Sequence, residues 1–478
     1  MKGSNFVDGT WCAEGSSTLP SIDPSTGEAF GEIADSSAED VDRAVRAARK
    51  AFDNGPWGKT TAVERGRILS RISALVEENA AELAQLEARD TGKPKKVAEA
   101  DIKALCRYFE FYGGAADKFH GETIPYLSGY LVALLREPHG VTGHILPWNY
   151  PAQMFGRTLA PALAVGNATV LKPAEDACAT SLRLAELATK AGIPPGALNV
   201  VTGRGSVAGA ALASHPGVDF ISFTGSPEVG QLVQKAAADH FANCTLELGG
   251  KSPQVVFGDA DFDAAVPVIC RAIIQNTGQT CSAGSRVLVE QSAYEKFIER
   301  LGPAFSALQA GSPEMDLDCG PLINAKQKIR VQGYIDRARA EGIEVVAEGK
   351  IAKGVSPRGY FVIPTMFGKV PRESALAREE VFGPVLAVLP FRDEAEAVQL
   401  ANDTEYGLVA AVWTRDGGRQ LRMAKAMRSG QVFVNCFGAG AGIELPFGGI
   451  GKSGHGREKG IQALHDFTRT KTVVINHG

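Results

Sequence analysis

The chain predicts an α/β fold in which helices cover mostly parallel sheets. Three observations carry that prediction. Short apolar strands alternate with helices from about residue 139 onward. The N-terminal part instead holds longer stretches with apolar residues at helical spacing. With 478 residues, 44% hydrophobic and 22% charged, the chain has ordinary globular composition and enough length for two or three domains.

Taken in order, Val41, Ala44, Val45, Ala48 and Phe52 predict a helix over 39–52, with Ser36 and Glu39 placed as a capping box. Ile68, Ile72, Leu75, Val76, Leu83 and Leu86 predict one longer helix over 62–88, stopped by Asp90-Thr91-Gly92-Lys93-Pro94. Strands follow at 141–146, 168–171, 198–201 and 220–223, with helices at 178–191 and 227–239 between them. A second alternation begins with a strand at 253–257, then a helix over 262–276 and a strand at 286–290. This places a domain boundary near residue 250.

Composition excludes several function classes. Fifty basic residues stand against 54 acidic ones, a net charge of -4. That balance argues against a nucleic-acid binder or a polybasic membrane binder. Met1-Lys2-Gly3-Ser4-Asn5 has no basic segment leading into an apolar stretch, so no signal peptide is expected. No apolar run reaches the roughly 18 residues of a membrane span. The eight cysteines are scattered without a CxxC pair, which argues against a disulfide scaffold and a metal site. A cytoplasmic location is the expectation.

Several segments could carry chemistry. Cys281 lies in Thr277-Gly278-Gln279-Thr280-Cys281-Ser282-Ala283-Gly284, small and polar around one thiol that could serve as a nucleophile. A buried structural cysteine is the commoner reading of any one such residue. Leu246-Glu247-Leu248-Gly249-Gly250-Lys251 sets a carboxylate in an apolar strand, where a raised pKa suits a general base. Taken alone, the segment reads better as a glutamate at a strand edge, paired with Lys251 or solvent. Pro147-Trp148-Asn149-Tyr150-Pro151 follows a strand, and the Asn149 amide could donate to an oxyanion. A rigid turn is the plain alternative. Lys172-Pro173-Ala174-Glu175 sits at a strand's carboxyl end, where α/β sheets bind ligands. Phe223-Thr224-Gly225-Ser226 ends a strand and opens a helix, a ready phosphate site. Gly203-Arg204-Gly205-Ser206-Val207-Ala208 matches GxGxxA, but Asp219 comes early for the usual acidic partner.

Together and in order, these segments resemble the aldehyde dehydrogenase superfamily. The likeness extends through Glu379-Glu-Val-Phe-Gly-Pro384 and Pro446-Phe-Gly-Gly449 and covers nearly the whole chain. It implies a Rossmann-like cofactor domain over 1–119 and 139–249, and an α/β catalytic domain over 250–451. A small bridging β-sheet from 120–138 and 465–478 would support a homodimer or homotetramer. The resemblance assigns Cys281 as nucleophile, Asn149 with the Cys281 N–H as oxyanion donors, and Glu247 as the base that activates water. It gives Lys172 and Glu175 to a ribose, favouring NAD over NADP because Glu175 repels a 2′-phosphate. Ser226 would meet the pyrophosphate, Glu380 the nicotinamide ribose and Phe382 the ring. Ile145, Pro147, Trp148, Gly205, Gly225 and Leu248 complete the expected cofactor contacts, and the GxGxxA segment becomes a helix-opening turn.

The departures bear on the substrate. Thr158 stands where many relatives carry a lysine thought to relay protons from the base, with Glu458 as that lysine's partner. Arg157 stands where broad-range members have tryptophan and succinate-semialdehyde dehydrogenases have arginine. A guanidinium facing the tunnel would favour an aldehyde with an anionic tail, and one salt-bridged within its helix would not. The small residues of 437–443 leave room for a bulky or aromatic aldehyde, with Tyr150, Met154, Thr280 and Phe447 around it. Two other functions compete. A CoA-acylating relative usually lacks the base that Glu247 supplies, and a non-catalytic protein on this scaffold would tolerate loss of Cys281.

Overall fold

Five parallel strands, Val141–Ile145, Ala168–Lys172, Leu198–Val200, Phe220–Thr224 and Asn243–Glu247, form the centre of an eight-stranded sheet in this computed structural model. The structure describes residues 4–12, 17–438 and 442–478. Every residue of the first four strands is buried, as expected for a sheet covered on both faces. From Val141–Ile145 the chain builds outward on one side to Leu198–Val200, then returns to build the other side from Phe220–Thr224. The direction reverses between Val141–Ile145 and Phe220–Thr224. Open α/β sheets bind their ligands at such a point, in the crevice beside the strands' carboxyl ends.

A second sheet of seven strands runs in the order Glu344–Glu348, Thr365–Gly368, Val385–Phe391, Arg286–Glu290, Pro253–Val256, Val409–Trp413, Gln431–Val434. A separate three-stranded antiparallel sheet joins Glu122–Ile124, Tyr130–Pro138 and Thr468–Asn476. The hydrophobic cores follow the sheets. One runs from Phe6 to Leu248 and takes in Ile443, Ala463, Leu464 and Phe467. Two more lie on the second sheet, between Val255 and Met427. Gly454–His455 returns to pair antiparallel with Leu246 and Glu247 at the edge of the first sheet.

The structure corrects four sequence expectations. The first helix is Ala38–Asp53, so its capping box is Ser37 with Asp40, one residue later than expected. Ser36 is buried, and its hydroxyl bonds with Asn5 instead. The single helix expected over 62–88 is two, Ala62–Glu78 and Ala80–Thr91. Asn79 divides them, its side-chain amide donating to the Leu75 carbonyl (2.7 Å) and closing the first. The helix expected to reach residue 276 ends at Ile274, because Asn276 and Thr277 adopt left-handed φ of 48° and 59°. Finally, a 21-residue helix, Lys95–Ala115, went unread. Ala98, Ile102, Leu105, Phe109 and Tyr112 are its buried stripe, packed on Ala62–Glu78 and on Pro151–Val165.

Lys93, read only as part of a helix stop, is fully buried among charges. Its ammonium donates to Glu87 Oε1 (3.1 Å), Asp101 Oδ2 (2.5 Å) and the Asn149 carbonyl (3.0 Å). It also lies 4.6 Å from the centre of the Tyr150 ring. Lys93→Met leaves two buried carboxylates without their cation. It should cost about 3–5 kcal/mol of stability, read as a lower urea midpoint at unchanged slope.

Candidate active site

The crevice is lined by residues that the strands deliver at their carboxyl ends. Ile145 and Lys172 are paired terminal residues of neighbouring strands. Lys172 Nζ lies 3.0 Å from Glu175 Oε2, and Glu175 Oε1 accepts from the Gly205 N–H (3.3 Å). The Lys172 ammonium holds the Glu175 carboxyl below its usual pKa against the effect of burial. Gly205 opens the helical turn Gly205–Gly209, as expected for the GxGxxA segment. Across the crevice, Ser226 caps the helix Pro227–Ala238, and the Gly225 N–H donates to the Glu247 carbonyl (3.0 Å). The Leu248 N–H donates to the Ser453 carbonyl (3.1 Å).

Residues of the second sheet close the far wall. Glu380 Oε1 accepts from the Gly250 N–H (2.7 Å), and burial pushes its carboxyl up to about 7. A side chain at Gly249 would put a Cβ 2.4 Å from Glu380 Oε2, so the glycine leaves that carboxylate its place. The rings of Trp148 and Phe382 meet edge to face at 5.4 Å, joining the loop after Ile145 to the loop after Glu380.

Cys281 sits on a loop whose flanking residues are fixed. Thr277 bonds with both the N–H and the carbonyl of Gly320, at 3.0 and 3.1 Å. Gly278 has φ +74°, and a Cβ there would lie 2.2 Å from the Gly383 carbonyl. Gln279 Oε1 accepts from the Ile323 N–H (2.9 Å). Thr280 bonds with the Tyr150 hydroxyl (2.8 Å). Cys281 itself packs against Leu408, Val409 and Phe447, with Phe433 and Phe437 beside it. Burial pushes its thiol up to about 11, opposed by Arg157 and aided by Glu247 and Glu380. Asn149 donates one amide N–H to the Gln279 carbonyl (3.0 Å), and the amide carries a second. Its own carbonyl is held by Lys93 and by Asn276 Nδ2 (2.8 Å).

Glu247 ends its strand with a side chain 2% exposed. Neither of its oxygens accepts a hydrogen bond from a described residue. Burial, then the like charge of Glu458, push its carboxyl well above the usual range, while Arg157, Arg457 and Lys459 oppose the shift. Arg157 lies on the buried helix Pro151–Val165 and is paired with two carboxylates, neither of them in its own helix. Its NH2 lies 3.5 Å from Glu247 Oε2, and its Nε is paired with Glu458. The same guanidinium lies 4.3 Å over the Phe447 ring and touches Met154 Sδ at 3.8 Å. The Thr158 hydroxyl turns back to the Met154 carbonyl (3.1 Å) and reaches neither glutamate. Sequence reasoning found Cys281, Asn149, Glu247 and Arg157. It missed Lys93, and it missed Lys459, whose ammonium is 5.2 Å from the centre of the Phe447 ring. Of the expected substrate loop 437–443, residues 439–441 lie outside the described residues.

The comparisons with known proteins agree with this geometry. A model of the aldehyde dehydrogenase family matches residues 11–473. Arabidopsis thaliana aldehyde dehydrogenase family 2 member B4, a mitochondrial protein, is 44% identical, covering 98% of this chain and 86% of its own. Human retinal dehydrogenase 2 is 42% identical over 98% of this chain and 91% of its own. Among solved structures, a Burkholderia cenocepacia protein assigned as an aldehyde dehydrogenase matches with TM-score 0.99 at 59% identity, over 100% of both chains. Staphylococcus aureus betaine aldehyde dehydrogenase, solved with NAD+, matches with TM-score 0.96 at 36% identity, over 100% of this chain and 95% of that one. A family model matched over 11–473, relatives at 44% and 42% identity and a structure matched at TM-score 0.99 together show that the chain belongs to the aldehyde dehydrogenase family.

Proposed function

We propose that this enzyme oxidises an aldehyde to the carboxylic acid with NAD, through a thioester on Cys281. The observation that carries the proposal is the convergence of three groups from separate elements. The Asn149 amide bonds to the carbonyl of Gln279, two residues before Cys281, and the charge of Glu247 acts on the Cys281 thiol. The crevice suits a dinucleotide. A buried Thr224 hydroxyl without a partner among the described residues sits beside the helix N-terminus at Ser226, and the glycines at 225 and 249 keep side chains out of the cleft.

When bound, NAD supplies the acceptor for the hydride that leaves the substrate carbon. The rest of the chemistry belongs to the chain. Cys281 reaches its thiolate by giving a proton to a base, and Glu247 is the carboxylate coupled to it. Sulfur attacks the aldehyde carbon, and the second Asn149 N–H with the Cys281 N–H takes the developing oxyanion. Each such donor is worth roughly 10²–10³ in rate. Once it has released the first proton to solvent, Glu247 takes a proton from the water that attacks the thioester. The C–S bond breaks and its electron pair returns to sulfur.

Arg157 is neutralised by two carboxylates, and the walls near Cys281 are Phe433, Phe437, Phe447, Leu408 and Val409. These support an aromatic or bulky apolar aldehyde. One observation favours a second reading, an aldehyde with an anionic tail: the Lys459 side chain reaches over the Phe447 ring. We infer further that residues 1–119 with 139–249 bind the cofactor and 250–451 carry the nucleophile, as the separate cores support. Residues 120–138 with 465–478 join subunits of a homodimer or homotetramer, supported by the exposed Tyr130, Leu131, Leu135, Val474 and Ile475. No helix among the described residues is long and apolar enough to cross a membrane, and the eight cysteines are free, which supports a cytoplasmic enzyme.

NADH formation should be abolished in Cys281→Ala and persist without CoA in the wild type. Benzaldehyde should exceed succinate semialdehyde in kcat/KM, and the reverse order would favour the Lys459 reading. Glu175→Gln should raise the NADP-to-NAD ratio of kcat/KM by roughly tenfold, one lost charge repulsion. Without cofactor, alkylation of Cys281 by iodoacetamide should be slow at neutral pH and climb toward a midpoint of about 11, because burial favours the neutral thiol. A plateau already reached at neutral pH would mean a preformed thiolate.

A further inference from the structure

We propose that Arg157 is a positioning residue for hydrolysis: one buried guanidinium bridges Glu247 and Glu458, and so holds the Glu247 side chain in place to serve the acyl group on Cys281. The inference rests on Glu247 being the base. Its geometry is direct. Arg157 NH2 stands 3.5 Å from Glu247 Oε2, its Nε is paired with Glu458, and all three side chains are at most 8% exposed. Two carboxylates this deep need a cation, because burial of an unpaired charge is costly. Thr158 cannot help, having turned its hydroxyl to the helix backbone. Arg157 is itself held in place, by the Phe447 ring below its guanidinium and the helix around it.

The arrangement leaves the base available. Glu247 is approached by Arg157 at ion-pair distance, yet neither of its oxygens takes a hydrogen bond from a described residue. Glu458 is fixed differently, accepting from the Ser222 hydroxyl (3.3 Å). Charge attraction without a saturating hydrogen bond favours the carboxylate form while leaving lone pairs for a water's proton. The other groups facing the pair are Arg457 and Lys459 from the segment beside Glu458, Cys281 from the nucleophile loop, and Tyr108 from Lys95–Ala115. In the step served, a water oxygen bonds to the acyl carbon and its proton goes to Glu247. The C–S bond breaks, and sulfur keeps the electron pair.

The test uses 4-nitrophenyl acetate, an activated ester that acylates a nucleophilic thiol without cofactor, so that acylation and hydrolysis are read separately. Wild type should give a burst of nitrophenolate, one per Cys281, then steady turnover. Arg157→Met should keep the burst amplitude, slow the steady phase by roughly 10²-fold, and accumulate acetylated protein by intact mass. The pH midpoint of its steady phase should move upward, since a cation that favours the charged base is gone. Arg157→Lys should restore part of the rate. Glu458→Gln added to Arg157→Met should bring the midpoint back toward wild type, because it removes the like charge that raises Glu247. This double variant also serves if Arg157→Met alone folds poorly. A steady phase and midpoint unchanged in Arg157→Met would overturn the proposal. So would equal loss of burst and steady phase in both Arg157→Lys and the double variant, which marks a scaffold role. A wild type that shows neither a burst nor NADH formation would instead sink the functional reading itself.

Discussion

The Lys93 ammonium ties together three parts of the chain at one buried point. Glu87 comes from Ala80–Thr91, Asp101 from Lys95–Ala115, and the Asn149 carbonyl from the turn before Pro151–Val165. Two further bonds extend the node: Ala152 N–H to Glu87 (3.4 Å) and Gln153 Nε2 to Asp101 (2.7 Å). Buried networks of this kind are costly unless every member is satisfied, so their geometry is narrowly fixed. From the node the constraint passes to the nucleophile loop. Asn276 shares the Asn149 carbonyl with Lys93, and Tyr150 bonds to Thr280. Asn149 and the loop that carries Cys281 are therefore tied to one buried charge.

The second requirement is that two sheets meet without side chains in the way. The Cys281 loop belongs to the second sheet, and Glu247 ends a strand of the first. Glycines sit where the two come closest. A Cβ at Gly250 would stand 2.5 Å from the Cys281 carbonyl oxygen, and one at Gly448 would stand 2.8 Å from Glu247 Oε1. The glycines of the LELGG and PFGG segments are thus explained by close approach rather than by flexibility. The same economy of space explains why Gly278 precedes the nucleophile, with a positive φ and the Gly383 backbone against it.

Much of this was legible in the sequence, and the omissions have physical causes. Strand existence followed from short apolar runs such as Ala168–Lys172, because a sheet covered on both faces demands them. The break at Asn79 was not legible, since apolar spacing continues across it and one side-chain bond to Leu75 decides the matter. The left-handed turn at Asn276 and Thr277 was hidden likewise, and neither residue announces it as glycine would. The helix Lys95–Ala115 could have been found from its own apolar stripe. The identities of Cys281, Asn149 and Glu247 came from ordered motifs, but Arg157 could not be resolved that way. Its surroundings, Glu247 and Glu458, lie 90 and 301 positions further along the chain, and only the fold brings them to one guanidinium.

The site must reconcile a thiol kept neutral by burial with a mechanism that needs its thiolate. A net charge added to such a pocket is expensive, whereas a proton moved within it leaves the total unchanged. Arg157 and Lys459 face Glu247, Glu458 and Cys281 from the same small volume. When the Cys281 proton passes to Glu247, negative charge shifts from one oxygen pair to sulfur while the cations stay in place. Once Glu247 has released that proton and takes one from water, the negative charge again leaves its oxygens, this time for the thioester oxygen. A base with a carboxyl raised by burial is then no obstacle, because a raised pKa makes it the stronger proton acceptor once ionised. What the pocket requires is a fixed cation that keeps the ionised form within reach, and among the described residues Arg157 is the cation paired with both carboxylates.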